Sequence, residues 1–204
     1  MKQCGRCKIV YPFSNFHIKR SSKDGYNKFC KSCRSNENIS KREYIYKKKV
    51  ELGGCCQRCG FDNIVCLEFH HLRDKNGLVS RMNKKSDIDN EILKCELICS
   101  FCHHLENKHS KNRDYKVKRN YDFVDGVKIN IGLCNLCSRR VDKCNVSAFH
   151  FDHLFDKFKN VSFLCKNQYS IESIRNEIEK CQLICSNCHF LKTTSQFNRM
   201  SYLI

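Results

Sequence analysis

The sequence has no tryptophan, a single proline and only eight glycines among its 204 residues. Its apolar residues come in short clusters, so no single large core is visible, and no run approaches the roughly 20 apolar residues of a membrane-spanning helix. We therefore expect a soluble protein built from several small cores. Small cores bury too little surface to be stable alone, and they usually depend on metal ions or disulfides.

Acidic residues are scarce as well, since 21 Asp and Glu stand against 38 Lys and Arg and leave a formal net charge of +17. This surplus favours a polyanionic partner, and nucleic acid is the first candidate. Lysine-rich surfaces also keep proteins soluble, and anionic membranes attract the same charge, so both alternatives stay open on charge alone. The net charge therefore indicates a class of partner, but it does not indicate a chemical reaction.

Cysteine, in contrast, is abundant, with 18 residues, and twelve of them form six Cys-x-x-Cys pairs. Disulfides are the alternative to metal, but the N-terminus lacks the apolar core of a signal peptide, so we expect an intracellular location and zinc. Six pairs suffice for three closed sites of four thiolates each. The expected sites are Cys4/Cys7/Cys30/Cys33, Cys56/Cys59/Cys99/Cys102 and Cys134/Cys137/Cys185/Cys188.

A repeat occupies most of the chain after residue 52. Each copy contains a Cys-x-x-Cys pair, a His-His or Asp-His dipeptide, and the segment Lys-Cys-x-Leu-Ile-Cys-x-x-Cys-His. The copies are separated by 78 residues from Cys56 to Cys134 and by 86 residues from Cys99 to Cys185. Small insertions in the loops account for the difference between these two spacings. We expect a zinc module at 1–38, a basic helical linker at 39–51, the first copy at 52–113, a basic linker at 114–130 and the second copy at 131–204.

Local patterns predict the elements that carry these motifs. The alternation around 67–70 and 149–152 predicts a short strand in each copy. Residues 87–97 and 171–183 have helical spacing of Ile and Leu, and we expect them to lead into the second cysteine pair, with a further short helix after it. The stretch 41–49 has good helix formers and no breaker, which predicts a helix that is either a solvated connector or a DNA contact.

The repeated segments closely resemble the zinc-containing HNH endonucleases. The resemblance rests on the dipeptide at a strand, a Lys four residues on and the Lys-Cys-x-Leu-Ile-Cys-x-x-Cys-His segment, and it covers most of 52–109 and 131–194. It implies an α+β fold of small zinc-stapled modules, in which a zinc-ribbon-like N-terminal unit precedes two ββα-metal domains. It also implies hydrolysis of DNA phosphodiester bonds with one catalytic divalent cation, Mg²⁺ or Mn²⁺, in each active module.

By position, the resemblance makes His71 and His153 the general bases that activate water. Lys75 and Lys157 are candidates for contacting DNA phosphates, and ordinary surface charge is their alternative role. The metal ligands implied are His70 and His103 in the first copy and Asp152 and His189 in the second. The alternative functions are a non-catalytic zinc-dependent DNA-binding protein and a zinc-stapled protein-interaction module. Neither of them needs a base beside a metal ligand in two copies.

The chain departs from the family pattern at several positions. Many relatives place another histidine one helical turn after the Cys-x-x-Cys-His segment, where this chain has Asn107 and Thr193. The asparagine of the family name has only weak substitutes in Asn90 and Asn176. Because a carboxylate suits Mg²⁺ better than imidazole does, Asp152 makes the second copy the better candidate for activity. The imidazole pair of the first copy would also accept Zn²⁺, Ni²⁺ or Mn²⁺.

Other cysteines and histidines lie outside these motifs. Cys55, Cys66, Cys144 and Cys165 are expected to be small buried hydrophobes, and Cys55 is an alternative to Cys56 as a ligand. The N-terminal unit resembles small zinc modules upstream of HNH domains in phage and large-virus proteins, and both a structural and a DNA-binding role are open. The remaining histidines expected at the surface or in packing are His17, His104, His109 and His150, of which His150 shares the strand face of Asp152.

Overall fold

The structure, a computed structural model, describes residues 1–106 and 114–196. Within these ranges the chain has an α+β fold with four two-stranded antiparallel sheets and seven α-helices. A small N-terminal unit is followed by two strand–strand–helix units that coincide with the sequence repeat. None of the helices in this part of the chain combines the length and the apolar composition that crossing a membrane requires.

The N-terminal unit contains two short hairpins. Strand β1 (Lys2–Gln3) pairs with β2 (Val10–Tyr11), and β3 (Phe16–Ile18) pairs with β4 (Tyr26–Cys30). Its fully buried hydrophobic side chains are Cys4, Phe16 and Cys30. Two of these three are cysteines, so the interior of this unit is largely its thiolate cluster, as expected for a core too small to be stable alone.

Helix α1 (Lys31–Glu51) follows β4 directly, so the basic stretch 41–49 is helical and continuous with the N-terminal unit. Its side chains Tyr44 and Ile45 pack against Val79, Ile88 and Ile92 of the first repeat unit. The Tyr44 hydroxyl also donates to the carboxylate of Asp89 at 2.7 Å. The helix is therefore attached to the first repeat unit along its C-terminal half.

The two repeat units have the same order of strands and helices. In each, two antiparallel strands pair, one helix precedes the second strand, and a further helix follows that strand directly. The first unit contains β5 (Leu67–His71), α2 (Lys85–Ile92), β6 (Cys95–Cys99) and α3 (Ser100–Glu106). The second contains β7 (Phe149–His153), α5 (Val161–Lys166), α6 (Ile171–Ile178), β8 (Cys181–Cys185) and α7 (Ser186–Gln196). The α5 helix is an addition of the second unit.

The helices predicted over 87–97 and 171–183 are wrong in their C-terminal parts. Helix α2 ends at Ile92 and α6 ends at Ile178, and the residues that follow form β6 and β8. Adjacent apolar residues such as Leu97 and Ile98 are compatible with a helix and with a buried strand. The segment forms strand β6 because it pairs antiparallel with β5, with Cys95 opposite His71.

The stretch 114–130, expected to be a basic linker, forms most of helix α4 (Tyr115–Ile131). The Asp114 carboxylate caps its first turn by accepting from the Lys116 N–H, and Gly132 ends it in a left-handed conformation with a φ of 78°. Val124 of α4 lies in one buried cluster with residues of α5 and α6. Helix α4 therefore packs on the second unit much as α1 packs on the first.

The two repeat units share one hydrophobic core, which includes Leu67 and Ile98 from the first and Phe149 and Ile184 from the second. At their junction the Phe101 and Phe149 rings meet edge to face, with centroids 5.6 Å apart. Such aromatic pairs add stability beyond the area that they bury. The two units are thus packed together as one body, which the repeat alone does not predict.

Candidate metal centres and clefts

Each of the three expected cysteine groups is assembled, with its four sulfur atoms all within 4.8 Å of one another. A tetrahedral zinc ion bound at about 2.3 Å holds its sulfurs about 3.8 Å apart. The sulfur atoms of Cys59 and Cys99 are 3.7 Å apart, and those of Cys137 and Cys185 are also 3.7 Å apart. The cysteines therefore fit zinc, and the second group uses Cys56 and not Cys55.

The first Cys-x-x-Cys pair of each group lies in the same tight turn. The residue after the pair is left-handed in all three, with φ of 62° at Lys8, 72° at Gly60 and 56° at Ser138. Its N–H donates to the carbonyl of the first cysteine, at 3.0, 2.9 and 2.9 Å respectively. Only glycine adopts this conformation freely, so the surrounding structure must hold the turn at Lys8 and Ser138.

One thiol in each group is surrounded by backbone N–H groups. Burial raises the pKa of Cys56, but hydrogen bonds from the Cys99 N–H and from its own turn outweigh that effect and lower the pKa to about 7. The same balance lowers the pKa of Cys134 to about 7 and that of Cys4 to about 6. These three cysteines are therefore the thiols that ionise most readily in their groups, whereas burial and the neighbouring cysteines raise the pKa of Cys33, Cys102 and Cys188.

The histidine at the second position of each dipeptide contacts a buried carboxylate. His71 Nε2 lies 2.9 Å from Glu91 Oε1, and His153 Nε2 lies 2.8 Å from Glu177 Oε1. The two glutamate side chains are only 2% and 3% exposed. They lie on the apolar faces of α2 and α6, among isoleucines. A buried glutamate needs such partners, because an unpaired charge in a protein interior is very unfavourable.

The surroundings of Glu91 fix its protonation. Its Oε1 also accepts from the N–H groups of Asn76 at 2.8 Å and Gly77 at 3.2 Å, and its Oε2 accepts from the Lys94 ammonium at 3.1 Å. Burial raises the pKa of Glu91, but these donors together lower it to about 2. An ionised carboxylate only accepts, so His71 donates from Nε2, and Nδ1 is the ring nitrogen that can act as a base.

The second unit repeats this arrangement. Glu177 Oε1 accepts from the N–H groups of Phe158 at 2.9 Å and Lys159 at 3.2 Å, and its Oε2 accepts from Lys180 at 2.9 Å. Burial raises the pKa of Glu177, but its donors, led by Lys180, lower it to about 2. One carboxylate therefore fixes the histidine tautomer and also holds the loop that follows Lys157, as Glu91 does for the loop after Lys75.

The first histidine of the first copy faces the other side of its strand. The His70 ring lies 5.2 Å from the His103 ring, measured between centroids. His103 Nδ1 lies 3.0 Å from Oε2 of Glu68, which shares the strand face of His70. Burial lowers the pKa of His70, whereas the Glu68 carboxylate raises that of His103. Two imidazoles and one carboxylate thus lie together.

Asp152 takes the place of His70 in the second copy. Its Oδ1 lies 3.8 Å from His189 Nε2, and its Oδ2 accepts from Gln182 at 3.0 Å and Lys192 at 2.5 Å. Burial raises the pKa of Asp152, but the Lys192 and Gln182 hydrogen bonds outweigh this and lower it. A cation at about 2.1 Å from both atoms would hold them about 3.0 Å apart in octahedral geometry or about 3.4 Å apart in tetrahedral geometry, so the 3.8 Å separation has to close slightly for both to bind. Lys192 would compete with that cation for the carboxylate.

Both sets of side chains line clefts of similar size, with volumes of about 630 Å³ and 600 Å³. Helix α1 contributes to the wall of the first cleft and α4 to that of the second. Each cleft also receives one side chain from the other unit, Phe190 in the first and His104 in the second. The expected site residues are His70, His71, Lys75 and His103 in the first cleft and Asp152, His153, Lys157 and His189 in the second.

The weak substitutes Asn90 and Asn176 are exposed, and the glutamate that follows each of them contacts the histidine instead. The sequence contains a signal for this. Glu91 follows Ile88 by three residues and precedes Ile92 on the apolar face of its helix, and Glu177 has the same position in the second copy. Thr193 donates to the His189 carbonyl at 2.8 Å and so is satisfied within its helix. Asn107 lies outside the described residues.

Among the cysteines outside the pairs, Cys66 and Cys165 are buried as expected and Cys55 is partly buried. Cys144 is exposed, so the expectation of burial is wrong there, because it lies in a surface turn held by Asp142. His17 is exposed, and His109 lies outside the described residues.

His104 and His150 are partly buried and face each other across the junction, with ring centroids 4.7 Å apart.

Comparisons of this chain with protein-family models, with curated proteins and with solved structures found no match, so the functional interpretation rests on the residues of this chain alone.

Proposed function

We propose that the protein is a metal-dependent endonuclease of the HNH type, which hydrolyses DNA phosphodiester bonds in one or both of its clefts. One observation carries the proposal. In both repeat units, a histidine that is held through Nε2 by a buried glutamate lies beside a separate set of potential metal ligands. A purely structural zinc protein has no need of this second set.

In this proposal His153 acts as the general base through Nδ1. It takes a proton from the attacking water, and the ring then becomes an imidazolium that still donates to Glu177 from Nε2. The negative carboxylate stabilises that imidazolium, as an acidic partner does in other base dyads. His71 and Glu91 would act in the same way in the first cleft. Base catalysis of this kind contributes roughly 10²- to 10⁴-fold to a rate.

A bound divalent cation, Mg²⁺ or Mn²⁺, would stabilise the charge on the phosphate and on the leaving oxygen. Asp152 and His189 would hold it in the second unit, and His70 and His103 would hold it in the first. Asp152 supplies the oxygen ligand that Mg²⁺ prefers, so the second cleft is the better candidate for Mg²⁺-dependent activity.

Charge supports DNA as the partner. The chain carries a net charge of +17, and the exposed Lys75 and Lys157 lie at the clefts beside the proposed bases. DNA binding that depends on phosphate contacts releases counterions, so the affinity should fall steeply as salt rises. A binding curve that is flat between low and high salt would instead favour a protein partner.

The test is cleavage of supercoiled plasmid by the purified zinc-loaded protein in Mg²⁺ or Mn²⁺. We expect nicked or linear DNA with the wild type and almost none with the double variant His71→Ala/His153→Ala. The matched control is His17→Ala, because His17 is an exposed histidine far along the chain from both clefts. A wild-type protein that binds the plasmid but never cuts it would contradict the proposal and support the non-catalytic DNA-binding alternative.

A further inference from the structure

We propose that the metal site of the second unit is completed across the junction between the units, where His104 and His150 join Asp152 and His189 to bind a transition-metal ion. The inference rests on the proposed function for the roles of Asp152 and His189. All four side chains line the same cleft as His153. His104 belongs to α3 of the first unit, so the second cleft is incomplete without its neighbour.

The distances place these groups around one region. The His150 ring lies 4.7 Å from the His104 ring and 5.6 Å from the His189 ring, between centroids. His189 Nε2 in turn lies 3.8 Å from Asp152 Oδ1. The backbone of His104 is tied to the second unit, since the Ser147 hydroxyl donates to its carbonyl at 3.4 Å.

The hydrogen bonds of His150 give it the tautomer that a metal ligand needs. The Ser186 hydroxyl donates its only proton to the Ala148 carbonyl at 2.7 Å. It can therefore only accept from His150 Nε2, which lies 3.0 Å from it. Nε2 then carries the proton of the neutral ring, and Nδ1 keeps its lone pair. Metal-binding histidines are commonly oriented in this way by a hydrogen bond from the other ring nitrogen.

The ligand set is particular to the second cleft. The corresponding positions of the repeat hold Glu68 in place of His150, and Phe190 in place of His104. The added imidazoles extend the ions that this site can hold to Zn²⁺, Co²⁺ and Ni²⁺, while Asp152 keeps an oxygen ligand for Mg²⁺. Of the described residues, only the cysteine groups already bring three or more ligand atoms within 4.8 Å, so the junction side chains must change rotamer to share one ion.

The experiment measures metal binding directly. The parent for this experiment is the zinc-loaded His70→Ala variant, in which the first cleft has lost one of its metal ligands. It is titrated with Co²⁺ while the visible absorption of the ion is recorded. We expect one Co²⁺ to bind with nitrogen and oxygen ligands. Adding His104→Phe should weaken that binding by at least about tenfold, given that even outer partners of metal ligands contribute 10- to 100-fold. Phenylalanine keeps the aromatic packing, because Phe190 holds the corresponding position.

The control is His17→Phe in the same His70→Ala parent, which should leave Co²⁺ affinity unchanged. His104→Gln serves as a second variant in case Phe disturbs the junction, and both are checked for a native unfolding temperature. If neither His104 variant weakens Co²⁺ binding, or if the parent binds no Co²⁺, the inference is overturned. Plasmid cleavage by the His70→Ala parent tests the proposed function separately. If Co²⁺ binding depends on His104 but the parent does not cut plasmid, the metal site stands and only the proposed nuclease activity is contradicted.

Discussion

His153 donates a hydrogen bond of 2.8 Å from Nε2 to Oε1 of Glu177, a carboxylate that is almost completely buried. The same oxygen accepts from the N–H groups of Phe158 and Lys159, so base and loop share one acceptor. A side chain that positions two parts of a cleft at once is a sensitive place for substitution. The exposed Glu179 on the adjoining turn offers a matched comparison.

We expect Glu177→Gln to lower the rate of Mg²⁺-dependent cleavage by about 10- to 100-fold, which is less than the roughly 10²- to 10⁴-fold that a general base contributes, because His153 itself is retained. The amide oxygen still accepts from His153, but the negative charge that stabilises the imidazolium is lost. Single-turnover cleavage measured against pH is the readout, because a merely structural effect would not alter the pH profile. Glu179→Gln should behave as wild type, and an equal loss in both variants would contradict a role for Glu177 in positioning the base.

Zinc content gives the second prediction. Cys137→Ser should lower the tightly bound zinc from about three ions per chain to about two, since this cysteine belongs to the third group. The second unit should then lose stability, because zinc binding contributes directly to the folding of small modules. Cys144→Ser, in the same unit but exposed and outside the group, should keep all the zinc. Elemental analysis after metal-free dialysis distinguishes them, and equal zinc content would contradict the assignment.

Spacing in the sequence was sufficient to predict the cysteine groups and the strands of His71 and His153. A Cys-x-x-Cys pair closes a turn locally, and its partner pair is identified by the repeat, so little long-range information is needed. The sequence does not predict strands β6 and β8, because apolar pairs such as Leu97 and Ile98 fit a helix as well as a strand. Only pairing with β5 and β7 makes these segments extended. The burial of Glu91 is not expected from its residue type, because glutamate is ordinarily exposed, but its position between Ile88 and Ile92 indicates the apolar face of the helix.

The junction between the units could not be predicted at all. It depends on side chains that differ between the copies, such as Phe101 and the corresponding Asn187, whose Oδ1 accepts from the Phe101 N–H at 2.8 Å. A repeat indicates two similar units but contains no information on which surfaces face each other. The contact of His104 with His150 is therefore a property of the folded chain alone.

The third prediction uses this junction. Phe101 is 6% exposed, packs edge to face on Phe149, and lies under the Arg139 guanidinium, whose central carbon is 4.2 Å from the ring centroid. Phe101→Ala should lower the free energy of unfolding by about 3–5 kcal/mol, the range for a buried phenylalanine. Phe163→Ala, at an exposed position in α5, should cost much less.

Calorimetry of the zinc-loaded protein provides the measurement for Phe101. Because both units share one core, we expect them to unfold in a single transition in the wild type, and Phe101→Ala should lower its temperature or split it into two. If the wild type already shows two separate transitions for the repeat units, and Phe101→Ala shifts only one of them, then the shared core does not couple the units.

The last prediction separates the two clefts by their bases. His153→Ala and His71→Ala each remove a base without removing a cysteine ligand, so zinc content and DNA binding should stay as in wild type. Because Asp152 offers Mg²⁺ an oxygen ligand and His70 does not, His153→Ala should remove most of the Mg²⁺-dependent cleavage, and His71→Ala should remove less of it.

If each cleft cuts its own DNA strand, either single variant should accumulate nicked circles where the wild type produces linear plasmid. Gel analysis of a time course in Mg²⁺ separates these cases. Loss of all cutting in His71→Ala, together with wild-type linearisation by His153→Ala, would show that the first cleft is the active one and reverse the ranking.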